Sequence, residues 1–245
     1  MLYNGLQTSV RKRFANRYSW EVNYTLSKSE GTQGGDLSAY YITSFENNQD
    51  FWDPEYDRGP AVNDVLHRVN GTFIYEVPGI RDGHGILNGI LGGWQISGIL
   101  QARSGGALII TQPSGIARSR PDVVPGVDLV VAEWKDACDA RGCNYLNAAG
   151  FTRVPVSSVT NATLRPGTYQ LDMARGPGNF NLHSTFAKNF GIGGGRTLQL
   201  RTDVFSLLNR KNYNNPELRI NNADFGRITG ASGSRTFQIG ARLTF

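Results

Sequence analysis

Along residues 18–28 apolar and polar side chains alternate without a break: Tyr18, Trp20, Val22, Tyr24 and Leu26 interleave with Ser19, Glu21, Asn23, Thr25 and Ser27. Successive side chains of an extended strand point to opposite faces, so a period of two predicts one apolar face and one wet face. The same pattern recurs at Leu2, Leu6, Val10 and Phe14, at Val69, Phe73, Tyr75 and Val77, and at Trp94, Ile96, Leu100 and Ala102. After a long aperiodic stretch come Phe180, Leu182 and Phe186, then Leu198, Leu200, Val204 and Leu208, and finally Phe237, Ile239, Ala241, Leu243 and Phe245. Seven strands of roughly ten residues are predicted, longer than the 5 to 6 residues usual in soluble sheets.

The connections alternate in length. Ala15 to Arg17, Pro78 to Gly93 and Gly191 to Gly195 are short links, whereas Ser29 to Val65, Ser104 to Asn179 and Asn209 to Ser234 are long. One end of the sheet therefore carries tight turns and the other large loops, as in an outer-membrane barrel with short periplasmic turns and long extracellular loops. Near the short links the apolar phase holds Phe14, Tyr18, Trp20, Tyr75, Trp94, Phe186, Phe190 and Phe245, an aromatic belt at a membrane interface. The charges that enter this phase, Lys12 and Lys188, lie near turns, where a lysine can snorkel. The opposite phase carries Glu21, Arg68, Glu76, Arg103, Arg201, Asp203 and Arg242, which suits a watery lumen and also suits the solvent face of a soluble sheet.

Composition agrees with an all-β chain. The 245 residues include 30 Gly, 10 Pro, 12 Phe, 10 Tyr and 4 Trp, with 39% hydrophobic residues, and no apolar run is long enough for a membrane-spanning helix. Although the net charge is +5, the 25 basic residues are scattered among 20 acids, so nucleic acid is not an expected partner. Cys138 and Cys143, with four residues between them in ACDARGC, are read as a local disulfide in an exposed loop outside the reducing cytosol. The start, MLYNGLQTSVRKRF, lacks the apolar core of a signal peptide, so the chain either stays in the cytosol or lacks its beginning.

The last strand, RTFQIGARLTF, alternates to its terminal aromatic residue, and Phe237, Ile239, Ala241, Leu243 and Phe245 are similar to the signal read by the outer-membrane assembly machinery. The stretch from Leu198 to Phe245 resembles the carboxy-terminal end of TonB-dependent receptors, particularly the Oar-like group with a carboxypeptidase-regulatory-like domain. The matching residues are Phe205, Leu207, Leu208, Asn209, Tyr213, Asn215, Pro216, Phe225, Gly226, Arg227, Ile228 and Phe245, with Ser206 where the pattern has Asn. Asp57, Arg58, Gly59, Pro60, His67 and Arg68 match an earlier segment of the same pattern.

The resemblance implies a share of a plugged barrel of about 22 strands that imports a large or scarce substrate with energy passed through TonB. Residues 1–245 then form its carboxy-terminal part, with no plug and no signal peptide, and the expected partners are outer-membrane lipid, the rest of the barrel and plug, the TonB system and the assembly machinery. An odd strand number does not suit a closed antiparallel barrel, so a fragment is expected. Two other architectures remain open: a soluble β-sandwich binding or adhesion module, and an eight-stranded closed barrel with its extra strand in Val123 to Ala132.

No nucleophile elbow, phosphate loop or zinc motif appears, and neither an enzyme nor a cofactor is expected. GHGILNG at Gly83 to Gly89 reads as turn glycines. Asp50, Asp53, Glu55 and Asp57 offer oxygen ligands for Ca²⁺ without EF-hand spacing, and their neighbours Phe51, Trp52 and Tyr56 suit either substrate contact or self-packing.

Overall fold

The computed structural model describes residues 1–32, 49–50, 52–61, 64–78, 92–114 and 119–245. Among the described residues, seven long strands appear where the alternation predicts them: β1 (Leu2–Ala15), β2 (Tyr18–Gly31), β3 (His67–Glu76), β4 (Trp94–Arg103), β5 (Asn179–Gly191), β6 (Thr197–Phe205) and β7 (Thr236–Thr244). They pair in chain order as one antiparallel meander. Three of them run 13 or 14 residues and the others 9 or 10.

The register carries one apolar face across every ladder. Val10 stands opposite Val22, Tyr24 opposite Val69, Leu100 opposite Leu182, Phe186 opposite Ile96, and Leu198 opposite Leu243. A slip of one residue anywhere would send a strand's apolar set to the wet side, so agreement over six ladders fixes the register. Large apolar side chains on this face, among them Leu6, Val10, Trp20, Leu200 and Ile239, remain exposed. A sandwich would cover such a face with a second sheet; among the described residues none covers it, and the exposure is far beyond what a soluble monomer tolerates.

The turns explain how the strands reverse. Asn16 and Arg17 both hold positive φ, 55° and 73°, the pair of left-handed residues that a two-residue hairpin turn needs. The Arg17 carbonyl then accepts the Glu76 amide at 2.8 Å, which ties the hairpin to β3. Between β5 and β6, Gly193, Gly194 and Gly195 hold φ of 83°, 60° and 74°, a run that side chains would strain.

Both intruding lysines donate to backbone carbonyls at the short-link end of the sheet. Lys12 Nζ donates to the carbonyls of Ala15 at 2.8 Å and Tyr18 at 3.0 Å, and sits 3.6 Å from the centre of the Tyr18 ring. Lys188 donates to Gly92.

The belt aligns across strands, with Tyr18 opposite Tyr75 and Trp94 opposite Lys188. A second girdle, not read from the sequence, marks the loop end: Tyr24 hydrogen-bonds His67 at 2.8 Å, Arg210 covers Phe180 and Arg235 covers Phe237. On β5 ten residues separate Phe180 from Phe190. At about 3.4 Å per residue and a tilt near 40°, they span roughly 26 Å, close to the apolar band of about 25 Å in outer-membrane barrels.

Two expectations need correction. Leu208 lies beyond β6, because Ser206 turns left-handed at φ 51° and ends the strand at Phe205. The segment Val123 to Ala132 adds no strand to the meander: Asp122–Val123 pairs with Phe151–Thr152, and Val130 bridges Leu146 within the loops. The eighth piece of the sheet is instead Gly59–Pro60, beside Glu30 and Gly31 of β2.

The long loops pack on each other. Leu108, Ile110, Tyr145, Leu146, Phe151, Tyr169, Ala174 and Ile228 form a buried core shared by residues 104–178 and 206–235. Trp134 wedges edge-on between Tyr145 and Tyr213, with ring centres 5.1 and 4.8 Å away, and Phe151 meets Phe225 at 5.3 Å. The result is a folded cap over the loop end of the sheet.

Candidate functional site

The seven ionic residues of the wet phase share the face opposite the apolar one. Spacing along β6 brings one pair together and register brings a second. Arg201 and Asp203 form an ion pair at 2.9 Å, and Thr185 Oγ1 donates to the same carboxylate at 2.5 Å. Arg68 stands directly across from Arg103 at the loop end of β3 and β4. Glu21 takes a hydrogen bond from Asn23 at 3.0 Å and lies 3.8 Å from Arg11, Glu76 lies opposite Gln95, and Arg242 opposite Gln199 on the outermost ladder.

Among the described residues, recesses open on this face. The first, of about 790 Å³, is lined by Ile74, Ile99, His183, Phe205, Arg201 and Asp203. The ring of His183 meets Phe205 edge-on at 5.8 Å, and its Nδ1 accepts the Ser206 amide at 3.1 Å. Sequence reasoning missed His183; the available signal was three large apolar residues, Ile74, Ile99 and Phe205, in a largely polar phase.

The second recess, of about 640 Å³, sits where wall and cap meet. Arg68, Arg103 and Asn179 come from the strands, and Asn212, Tyr213 and Asn215 come from the cap. Its lining of arginine and carboxamide side chains suits binding of polar ligands.

Ion pairs fasten the cap. Asp57 and Arg120 pair while 1% and 4% exposed, and the Gln49 amide also donates to Asp57. Burial pushes the Arg120 guanidinium below its usual range, and Asp57 opposes that effect. Asp64, 1% exposed, accepts from Arg175 and from the Ser29 amide at 2.7 Å, joining the cap to β2.

At the cap surface Asp139 is held down to about 2, first by its bidentate hydrogen bonds from Arg227 and then by the Arg141 amide. Glu217 is held at about 2 by Arg219. Cys138 and Cys143 form a disulfide across the hairpin that carries Asp139.

The acidic stretch before β3 is committed to local structure. Asp50 accepts the amides of Trp52 and Asp53, Asp53 caps the turn at Glu55, and Glu55 pairs with Arg58. Among the described residues no group of three or more His, Cys, Asp or Glu is arranged to hold a metal ion. Phe51 and the glycines at Gly83 to Gly89 lie outside the described residues.

The terminal residues Phe237, Ile239, Ala241 and Leu243 lie on the apolar phase of β7, across from Val204, Thr202, Leu200 and Leu198. Phe245 follows the strand and is 92% exposed.

No curated protein and no solved structure matches the chain. A family model for an outer membrane beta barrel domain matches residues 1–238. With its single meander, uncovered apolar face and paired girdles, the chain belongs to the outer membrane beta barrel domain family, and its place is the bacterial outer membrane.

Proposed function

We propose that the chain forms the carboxy-terminal barrel wall and extracellular cap of a TonB-dependent transporter of the Oar-like group, which binds and imports a large or scarce substrate. One observation carries this reading. Each outermost strand is paired on one side alone among the described residues, β1 with β2 and β7 with β6. Each unpaired backbone group in hydrocarbon costs several kcal/mol. In a seven-strand meander β1 and β7 run in the same direction, so they do not close on each other in the antiparallel manner of bacterial barrels. Further strands relieve both edges in a larger barrel.

The residues that resemble the TonB-dependent pattern also support it, because they build the cap. Phe225 packs on Phe151, Ile228 belongs to the core, and Gly226 holds φ 78°. Energy coupling belongs to a plug and TonB-contacting segment of the same receptor, the assembly machinery inserts it, and no side chain of this portion performs covalent chemistry. The coding DNA ahead of Met1 tests the reading. An open frame encoding more alternating strands and a plug supports it; a stop codon followed by a dedicated promoter overturns it.

A further inference from the structure

Arg68 and Arg103 face each other across the β3–β4 ladder. Like charges in that position destabilise a sheet. Neither has a carboxylate partner among the described residues. Asp64, next to the recess residue Val65, is already held by Arg175 and Ser29. Two uncompensated guanidinium groups thus stand at the mouth of the wall, under the cap, and the recess of about 640 Å³ opens over both.

Carboxamides surround them in a fixed order. Asn212 Nδ2 donates to Asn181 at 2.8 Å, Asn181 Nδ2 donates to Asn179 at 3.0 Å, and Asn212 Oδ1 accepts the Phe180 amide at 2.8 Å. This chain orients the amides and leaves Asn179 Nδ2 without an acceptor among the described residues. Asn70 and Gln101 continue the polar floor in an adjoining hollow of about 360 Å³. Carboxamides present donors and acceptors together, the complement of sugar hydroxyls, while arginine forks match oxyanions. Pores selective for anions place arginine at their constrictions in the same way.

We propose that this mouth recognises an oligosaccharide bearing an acidic group, with the anion held between Arg68 and Arg103 and the hydroxyls on the surrounding carboxamides. The inference rests on the transporter reading for its biological meaning, but binding needs no energy coupling. Failure of TonB-coupled import therefore leaves it standing, and failure to bind leaves the transporter reading untouched.

The protein as its gene encodes it, this chain together with any strands coded ahead of it, is purified folded in detergent, its heat-modifiable gel migration is verified, and it is titrated calorimetrically with trigalacturonate, maltotriose and inorganic phosphate. Trigalacturonate is expected to bind at least tenfold more tightly than either of the others, and more weakly as salt rises. Arg68→Gln with Arg103→Gln is expected to remove that preference without loss of thermal stability, because it relieves a like-charge contact. The double lysine variant keeps the charge and part of the preference, and Arg196→Gln at the opposite end leaves binding unchanged. Equal binding of the acidic and neutral sugars, phosphate binding as tight as trigalacturonate, or no binding by folded chain overturns the proposal.

Discussion

Lys188 stands directly across the β4–β5 ladder from Trp94, with its ammonium 5.5 Å from the indole centre and 2.6 Å from the Gly92 carbonyl. The residue is 4% exposed although it lies in the phase that faces hydrocarbon. Hydrogen bonding to a turn carbonyl and an aromatic face on each side, Trp94 and Phe190, make that burial tolerable. Lys188→Met keeps the stem but leaves Gly92 without this donor, and is expected to cost about 1–3 kcal/mol. A lowered urea midpoint with unchanged slope, measured for the chain in lipid vesicles, checks it.

Gly98 offers a steric test of the lipid-facing surface. A Cβ there would collide with the Phe73 ring and meet the His183 carbonyl oxygen at 2.9 Å, whereas one on Gly240 meets nothing within 4 Å. Phe73 lies over Gly98 and covers the gap between strands. Gly98→Val is expected to lose about 1–3 kcal/mol through overpacking, and Gly240→Ala to be close to neutral. Thermal loss of the heat-resistant gel band ranks the two.

The buried pair Asp57 and Arg120 predicts an asymmetry between breaking and replacing it. Asp57→Asn leaves a buried guanidinium without its counter-charge, a loss of about 3–5 kcal/mol. Asp57→Leu combined with Arg120→Met removes both charges and is expected to cost much less. Because the pair fastens the segment before β3 to the cap, the readout is protease cleavage within residues 104–178: fast in the single variant, slow in the double.

Acid should loosen the cap surface before it affects the strands. Asp139 and Glu217 are both held at about 2 by arginine partners. Unfolded carboxylates titrate near 3.9 and 4.3. Their folded values are depressed, so the stability they contribute is fully present above about pH 4 and disappears as pH falls toward 2. Hydrogen exchange of the amides around Arg141 and Arg227 is expected to rise across that window, and Asp139→Asn to show the faster exchange already at pH 7.

How far these features were legible in the chain depends on the kind of order behind them. The strands announce themselves because a half-buried sheet writes a period of two: β2 reads Tyr18, Trp20, Val22, Tyr24, Leu26 on one side, and the phase turns polar at Lys28 and Glu30 near its loop end. The cap does not. Leu108 and Tyr169 are fully buried together, and Tyr169 donates to the Leu108 carbonyl at 2.8 Å from 61 residues away, an arrangement with no local periodicity. Leu208 misled because it keeps the phase of β6, while the backbone at Ser206 decides where the strand stops. The upper girdle was hidden for another reason: its arginines, Arg210 and Arg235, lie in loops and meet Phe180 and Phe237 only after folding.

Phe245 separates a role in assembly from a role in stability. Its side chain is 92% exposed and extends past the last ladder pair, Thr197 with Thr244. Truncation to alanine therefore removes almost no packing inside the chain, and Phe245→Ala is expected to shift the unfolding midpoint in lipid vesicles by no more than about 0.5 kcal/mol. Leu243, by contrast, faces Leu198 across the ladder, so Leu243→Ala loses a cross-strand contact of about 0.2–1 kcal/mol. If the aromatic terminus serves as the signal for insertion, cells making the Phe245→Ala chain accumulate several-fold less heat-modifiable protein in the outer membrane, while the purified variant refolds normally. Equal yields of folded Phe245→Ala and unaltered chain would remove Phe245 from that role and leave the strand residues Phe237, Ile239, Ala241 and Leu243 to carry it.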